Sequence, residues 1–182
     1  EDQFTIQRLF PNGRVDTTFR APDFDQTIFD CAFGGEGEIY VSGYFTEVDG
    51  DVAYGLTKLD SDGRVDENFV PFFAMGEEQP DEPIGANEFF HYNREIELLP
   101  DGDLLLGGWF LNFQTDEEHT VTRLNPDGSE DPTFQDEITP AIQEYVSGYY
   151  LSLVRDIKSA PDGTFLILVG SYGSTYSIFR MN

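Results

Sequence analysis

Apolar residues along the 182-residue chain fall into short runs, at 5–9, 39–41, 94–99, 104–106, 121–124, 153–157 and 165–169. Runs this short suit strands better than helices. Between them lie Asn12-Gly13, Asp62-Gly63, Asp101-Gly102, Asp127-Gly128 and Asp162-Gly163. Such pairs are hairpin-type turn signals, because glycine accepts the positive φ that a tight turn requires. The pattern predicts an all-β chain. One helical turn is expected over residues 139–146, with Thr139 as cap and Pro140 at the first position.

The runs recur in a fixed order. Residues 6–19, 56–69 and 121–134 superimpose: each joins an apolar strand of four residues to a turn ending in glycine, followed by an Asp-x-x-Phe arm at Asp16 to Phe19, Asp66 to Phe69 and Asp131 to Phe134. A truncated fourth copy spans residues 178–182. A second motif falls between the copies of the first, at 36–45, 101–110 and 162–172. The starts at 6, 56, 121 and 178 are separated by 50, 65 and 57 residues, the size of a supersecondary unit. The units are therefore read as 6–55, 56–120 and 121–177, with 178–182 opening a fourth. About four short strands per unit, repeated, is the signature of a propeller blade.

The segment Leu-Asn-Pro-Asp-Gly-Ser-Glu-Asp-Pro-Thr-Phe at 124–134, with Pro-Asp-Gly-Asp-Leu-Leu-Leu-Gly-Gly-Trp-Phe at 100–110, resembles the delta-60 repeat of bacterial and phage β-propeller-like proteins. The first unit departs from it at Gly35-Glu36-Gly37, and the third carries one extra residue before Gly170. The resemblance implies a repeat scaffold and no particular reaction. Three units fall short of the four to eight blades of a closed propeller. The expectation is a partial or oligomer-completed propeller, part of a longer polypeptide or joined to other protein subunits.

Charge then narrows the partners. Thirty-five acidic residues against ten basic ones leave a net charge of −25. Nucleic acid is excluded as a default partner, because a phosphate backbone is bound by Lys and Arg. An anionic membrane surface is disfavoured for the same reason. The longest nearly apolar run, 104–111, has eight residues, against the roughly 20 that cross a bilayer as a helix. The chain opens at Glu1 without a basic and apolar leader, which reads as a processed end or an excised segment.

Candidate chemistry is sparse. Cys31 and the two histidines, His91 and His119, are too few for a Cys/His zinc site. Aligned by repeat, Cys31 falls where the other units carry Ile96 and Ile157, and is expected to be a small buried hydrophobe. Eight of the ten cations recur at equivalent positions; Arg8, Lys58 and Arg123 are expected to pair with Asp16, Asp66 and Asp131. The Asp60, Asp62 and Asp66 set resembles the later part of a calcium loop, but Lys58 stands where the leading carboxylate belongs, so no cofactor is expected and calcium is the alternative. No Gly-x-Ser-x-Gly or His-Glu-x-x-His occurs, and no catalytic residue is assigned. The long insertion after Phe69 mixes Phe72, Phe73 and Met75 with Glu77, Glu78, Asp81 and Glu82, and is the candidate partner-binding loop. The expected function is a non-catalytic structural or adhesive scaffold, extracellular or on a cell or virion surface. The alternatives are a glycan-active enzyme, or a calcium-dependent carbohydrate-binding module with surface glycans as partners.

Overall fold

The computed structural model describes residues 4–71, 92–112, 117–134, 152–171 and 176–181. Three three-stranded antiparallel sheets form the body. The first joins β3 (Ile28–Phe33), β4 (Ile39–Gly43) and β7 (Leu56–Leu59); the second, β8 (Tyr92–Leu98), β9 (Leu104–Asn112) and β10 (Glu117–Leu124); the third, β11 (Ser152–Ser159), β12 (Phe165–Ser171) and β13 (Tyr176–Met181). In each, the second motif supplies the middle strand, and the third strand comes from the start of the following sequence unit. A small four-stranded sheet interleaves with the first, built from the two-residue strands β1 (Phe4–Thr5), β2 (Asp23–Phe24), β5 (Glu47–Val48) and β6 (Asp51–Val52). The fourth element of each unit is the arm, held by one bridge: Leu9 to Val15, Leu59 to Val65 and Leu124 to Glu130. The helical turn expected at 139–146 lies outside the described residues.

Period-2 alternation explains how the sheets stack. On β4, Ile39 and Val41 face one way and Tyr40 the other. On β9, Leu104 and Leu106 face back toward the first sheet while Leu105 faces forward to the third. Each middle strand is thus apolar on both faces, as a strand sandwiched between two sheets must be. Three apolar clusters result, one per junction. The first packs Phe24 and Val48 of the small sheet against Ile39, Val41 and Leu59. The second packs Tyr40 and Leu56 against Ile96, Leu104, Leu106 and Leu124. The third packs Leu105 and Val121 against Val154, Ile157, Ile167 and Val169. Burying a side chain of this size contributes about 1.5–3 kcal/mol, so the junctions supply the main cohesion.

The arm phenylalanines key into the same junctions: Phe19 into the first, Phe69 into the second and Phe134 into the third. Phe69 meets Tyr40 edge to face at 5.6 Å between ring centroids, a favoured aromatic geometry. The first strand of each three-stranded sheet carries a register shift, between Ile28 and Asp30, Asn93 and Glu95, and Val154 and Asp156. This β-bulge recurs in all three of these sheets and re-aims the residues that follow it.

Candidate functional site

The feature that repeats most faithfully is the turn with its arm, so the candidate site is built there. The turn closes the same way each time: Gly13, Gly63 and Gly128 donate their amides to the carbonyls of Phe10, Asp60 and Asn125 at 2.8, 3.0 and 2.9 Å. Next, Asp16, Asp66 and Asp131 return their amides to the carbonyls of Arg8, Lys58 and Arg123 at 2.9, 2.7 and 2.8 Å. Each of these aspartates then divides its carboxylate between two tasks. One oxygen caps the arm, accepting the amide of Thr18, Asn68 or Thr133. The other faces the cation two strand positions before the turn.

The expected ion pairs form. Arg8 meets Asp16 at 2.9 Å, Lys58 meets Asp66 at 3.4 Å, and Arg123 lies 3.9 Å from Asp131 while closing on Asp101 and Asp103 at 2.7 Å each. Aspartate is the acid that fits, since its short side chain reaches its own arm and the strand cation together. The protonation equilibria record this. Hydrogen bonds from Thr18, with the Arg8 guanidinium behind them, hold the Asp16 carboxyl below its ordinary range. Thr133 does the same for Asp131, and Arg123 adds to it. At Asp66 partial burial pushes upward, but the bonds from Asn68 and Lys58 outweigh it and the net direction is down.

These geometries separate the three weak calcium candidates. Asp60 accepts the amides of Asp62 and Arg64 at 2.8 and 2.9 Å, and Asp62 binds the Arg64 guanidinium at 2.7 Å. Asp66 is turned to Lys58 instead. The structure thus joins Asp60 and Asp62 through Arg64 and places Asp66 in a different ion pair. Phe72, Phe73, Met75, Glu77, Glu78, Asp81 and Glu82 lie outside the described residues.

Cys31 is a correction: it is exposed, although its equivalents Ile96 and Ile157 are buried in the second and third junctions. Those two are covered by the preceding sheet, whereas Cys31 faces a side where, among the described residues, the narrow four-stranded sheet stands. Local desolvation, with the Asp30 carboxylate adding to it, pushes its thiol up, away from the thiolate a nucleophile needs.

Sequence reasoning missed the bonds that tie one sheet to the next. Asp30 on β3 accepts the Ile96 amide of β8 at 3.0 Å. Glu97 on β8 accepts the Ser159 amide of β11 at 2.9 Å, and its hydroxyl as well. The arms cross over too: the residue after the first and second arm phenylalanines donates its amide to the next turn, Arg20 to the Asp62 carbonyl at 2.7 Å and Val70 to the Asp127 carbonyl at 3.0 Å. This crossing uses the turn glycines a second time. A Cβ on Gly63 would collide with the Arg20 carbonyl, and one on Gly128 would lie 2.6 Å from that of Val70. The repeated Asp-Gly pair signalled only the turn, not what passes over it.

Residues 37–69 and 99–134 match the family model described as a domain of unknown function (DUF5122) beta-propeller. The chain is an all-β repeat of propeller type. Both matched segments begin within a turn, at Gly37 and at Leu99, and run through a middle and a third strand to an arm phenylalanine. They therefore take in the turn, cation and aspartate described above. No curated protein and no solved structure matches the chain.

Proposed function

We propose that the chain is a non-catalytic structural or adhesive scaffold of the delta-60 repeat type, working in an extracellular or virion-surface assembly with other protein subunits or further blades. The observation that carries this reading is where the recurring polar residues go. The cations at 8, 58 and 123 and the aspartates at 16, 66 and 131 are engaged in fixing turns and arms, so what recurs from unit to unit is architecture. The acidic excess of −25 supports the location, because a highly anionic surface suits a setting rich in counterions.

The test is to locate the chain in its source with an antibody, on intact particles and in fractionated cells, and to probe the purified protein on a glycan array with and without calcium. Labelling of the exposed surface with no calcium-dependent glycan signal is expected. Confinement to the cell interior would overturn the scaffold reading, and a calcium-dependent signal would replace it with the carbohydrate-binding one.

A further inference from the structure

The three turns that open the arms differ in one functional group. Asn12, Asp62 and Asp127 hold the same place before Gly13, Gly63 and Gly128, and no other asparagine in the chain is followed by glycine. Asn12 and Asp127 use their side chains alike: each Oδ1 accepts the amide two residues on, from Arg14 at 3.0 Å and from Ser129 at 2.9 Å. What differs is the carbon behind that oxygen. The Asp127 carboxylate already carries a negative charge and resists attack by a nucleophile, whereas the Asn12 carboxamide is neutral. The Arg14 amide on Oδ1 stands where negative charge would gather if Cγ were attacked, as an oxyanion donor does.

The cation that follows the turn supplies a second observation. Arg14 and Arg64 are equivalent. Arg64 lies 2.7 Å from the Asp62 carboxylate and 3.7 Å from that of Asp60. Asn12 and Phe10 hold those two places around Arg14, so its own turn offers it no carboxylate.

We propose that Asn12 is a site of spontaneous deamidation, and that the fold accepts the resulting aspartate as the carboxylate partner of Arg14. The Gly13 nitrogen attacks the Asn12 Cγ. An N–Cγ bond forms, the Cγ–Nδ2 bond breaks, and Nδ2 leaves as ammonia carrying the proton that the Gly13 nitrogen gives up. Water then opens the cyclic imide. Attack at Cγ restores the main chain and leaves aspartate; attack at the backbone carbonyl leaves isoaspartate, with the main chain routed through Cγ. The fold gates the first step, because the Gly13 amide is held by the Phe10 carbonyl at 2.8 Å and must leave it, a local opening of this one turn. The aspartate keeps one oxygen on the Arg14 amide, as Asp127 does on that of Ser129. Its other oxygen turns to the Arg14 guanidinium, as Asp62 turns to Arg64.

The test uses the purified full chain, held folded at mildly alkaline pH and sampled over time by peptide mapping with mass spectrometry. Asn12 should be the first asparagine converted, and ammonia release should fall severalfold in Asn12→Gln, whose longer side chain must close a larger ring. The same chain unfolded in urea should convert faster, since nothing there holds the Gly13 amide. Another asparagine converting first, or Asn12 left intact in the folded chain while it converts in urea, overturns the site; equal rates in urea and in buffer overturn the gate. Asn12→Asp reports on the product directly. It should melt above the parent chain, and the rise should vanish when both carry Arg14→Met. An unchanged or lower melting temperature, or a rise that survives Arg14→Met, overturns the pairing.

Discussion

The turn at Asn12-Gly13 and the turn at Asp127-Gly128 share their closing hydrogen bonds and the aspartate that follows them, yet they stand in opposite surroundings. Behind the later turn Leu124 is fully buried, and Val70 crosses over Gly128. Behind the earlier one Leu9 is largely exposed, and a Cβ on Gly13 would meet nothing within 4 Å. Local sequence thus sets the turn, while burial is conferred by the neighbouring sheet. In a repeat fold each unit's stability is shared with the units it touches.

The largest test of that contrast is in the leucines. Leu124→Ala should cost about 2–5 kcal/mol by removing a buried side chain from a packed junction. Leu9→Ala should stay within about 0.5 kcal/mol, as exposed substitutions do. Urea denaturation of both variants checks it, and equal losses would break the comparison. The glycines come next. Gly13→Ala meets only the strain of a positive φ, about 1 kcal/mol. Gly128→Ala meets that strain and must also displace the Val70 backbone, which adds at least about 1 kcal/mol. The same measurement reads the difference, and a Gly13 cost as large as that of Gly128 would show that φ alone decides.

The same division explains what could be read in the sequence. Turns, middle strands and the pairs of Arg8 with Asp16 and Lys58 with Asp66 were legible because each depends on residues within one motif. β3 was not, because Ile-Phe-Asp-Cys-Ala-Phe at 28–33 lacks the apolar–polar alternation that would announce a strand, even though its exposure alternates in the fold. Residues 5–9 read as one strand, but the structure forms β1 at Phe4–Thr5 and then a single bridge at Leu9, since among the described residues no middle strand lies alongside 6–8. The exposure of Cys31 was illegible for a related reason: aligning it with Ile96 and Ile157 predicts its position in the sheet, not whether another sheet covers it. The bonds of Asp30 to Ile96 and of Glu97 to Ser159 sit at different levels of their sheets, so no shared spacing announces them.

Smaller effects concern the aspartates. The Asp66 carboxyl is held below its ordinary range, so its ionised form stabilises the fold above the unfolded value of about 3.9. That stabilisation is lost as pH falls through the lower, folded value. Asp66→Asn should therefore cost about 0.5–1 kcal/mol at pH 7, discounted for solvent screening. The gap from wild type should narrow as the pH is taken below 4. Melting curves of both proteins across that range check it; a gap that widened toward acid would reverse the sign assigned to the carboxyl.

The smallest difference sharpens the comparison at the cations themselves. Arg8 answers one carboxylate, Asp16, and also reaches the Ser61 carbonyl. Arg123 stands among three: Asp101, Asp103 and Asp131. Methionine in place of either removes a partly exposed ion pair, worth about 0–1 kcal/mol. Arg123→Met also leaves three carboxylates facing one another within a chain of net charge −25. Its loss should therefore be the larger and more sensitive to salt, shrinking as added salt shortens the screening length to about 3 Å near 1 M. Arg8→Met should shift less between low and high salt, because part of what it loses is a hydrogen bond to a neutral carbonyl. Denaturation at two salt concentrations decides the point: equal salt responses would mean that the three aspartates are solvated independently and that Arg123 does not gather them.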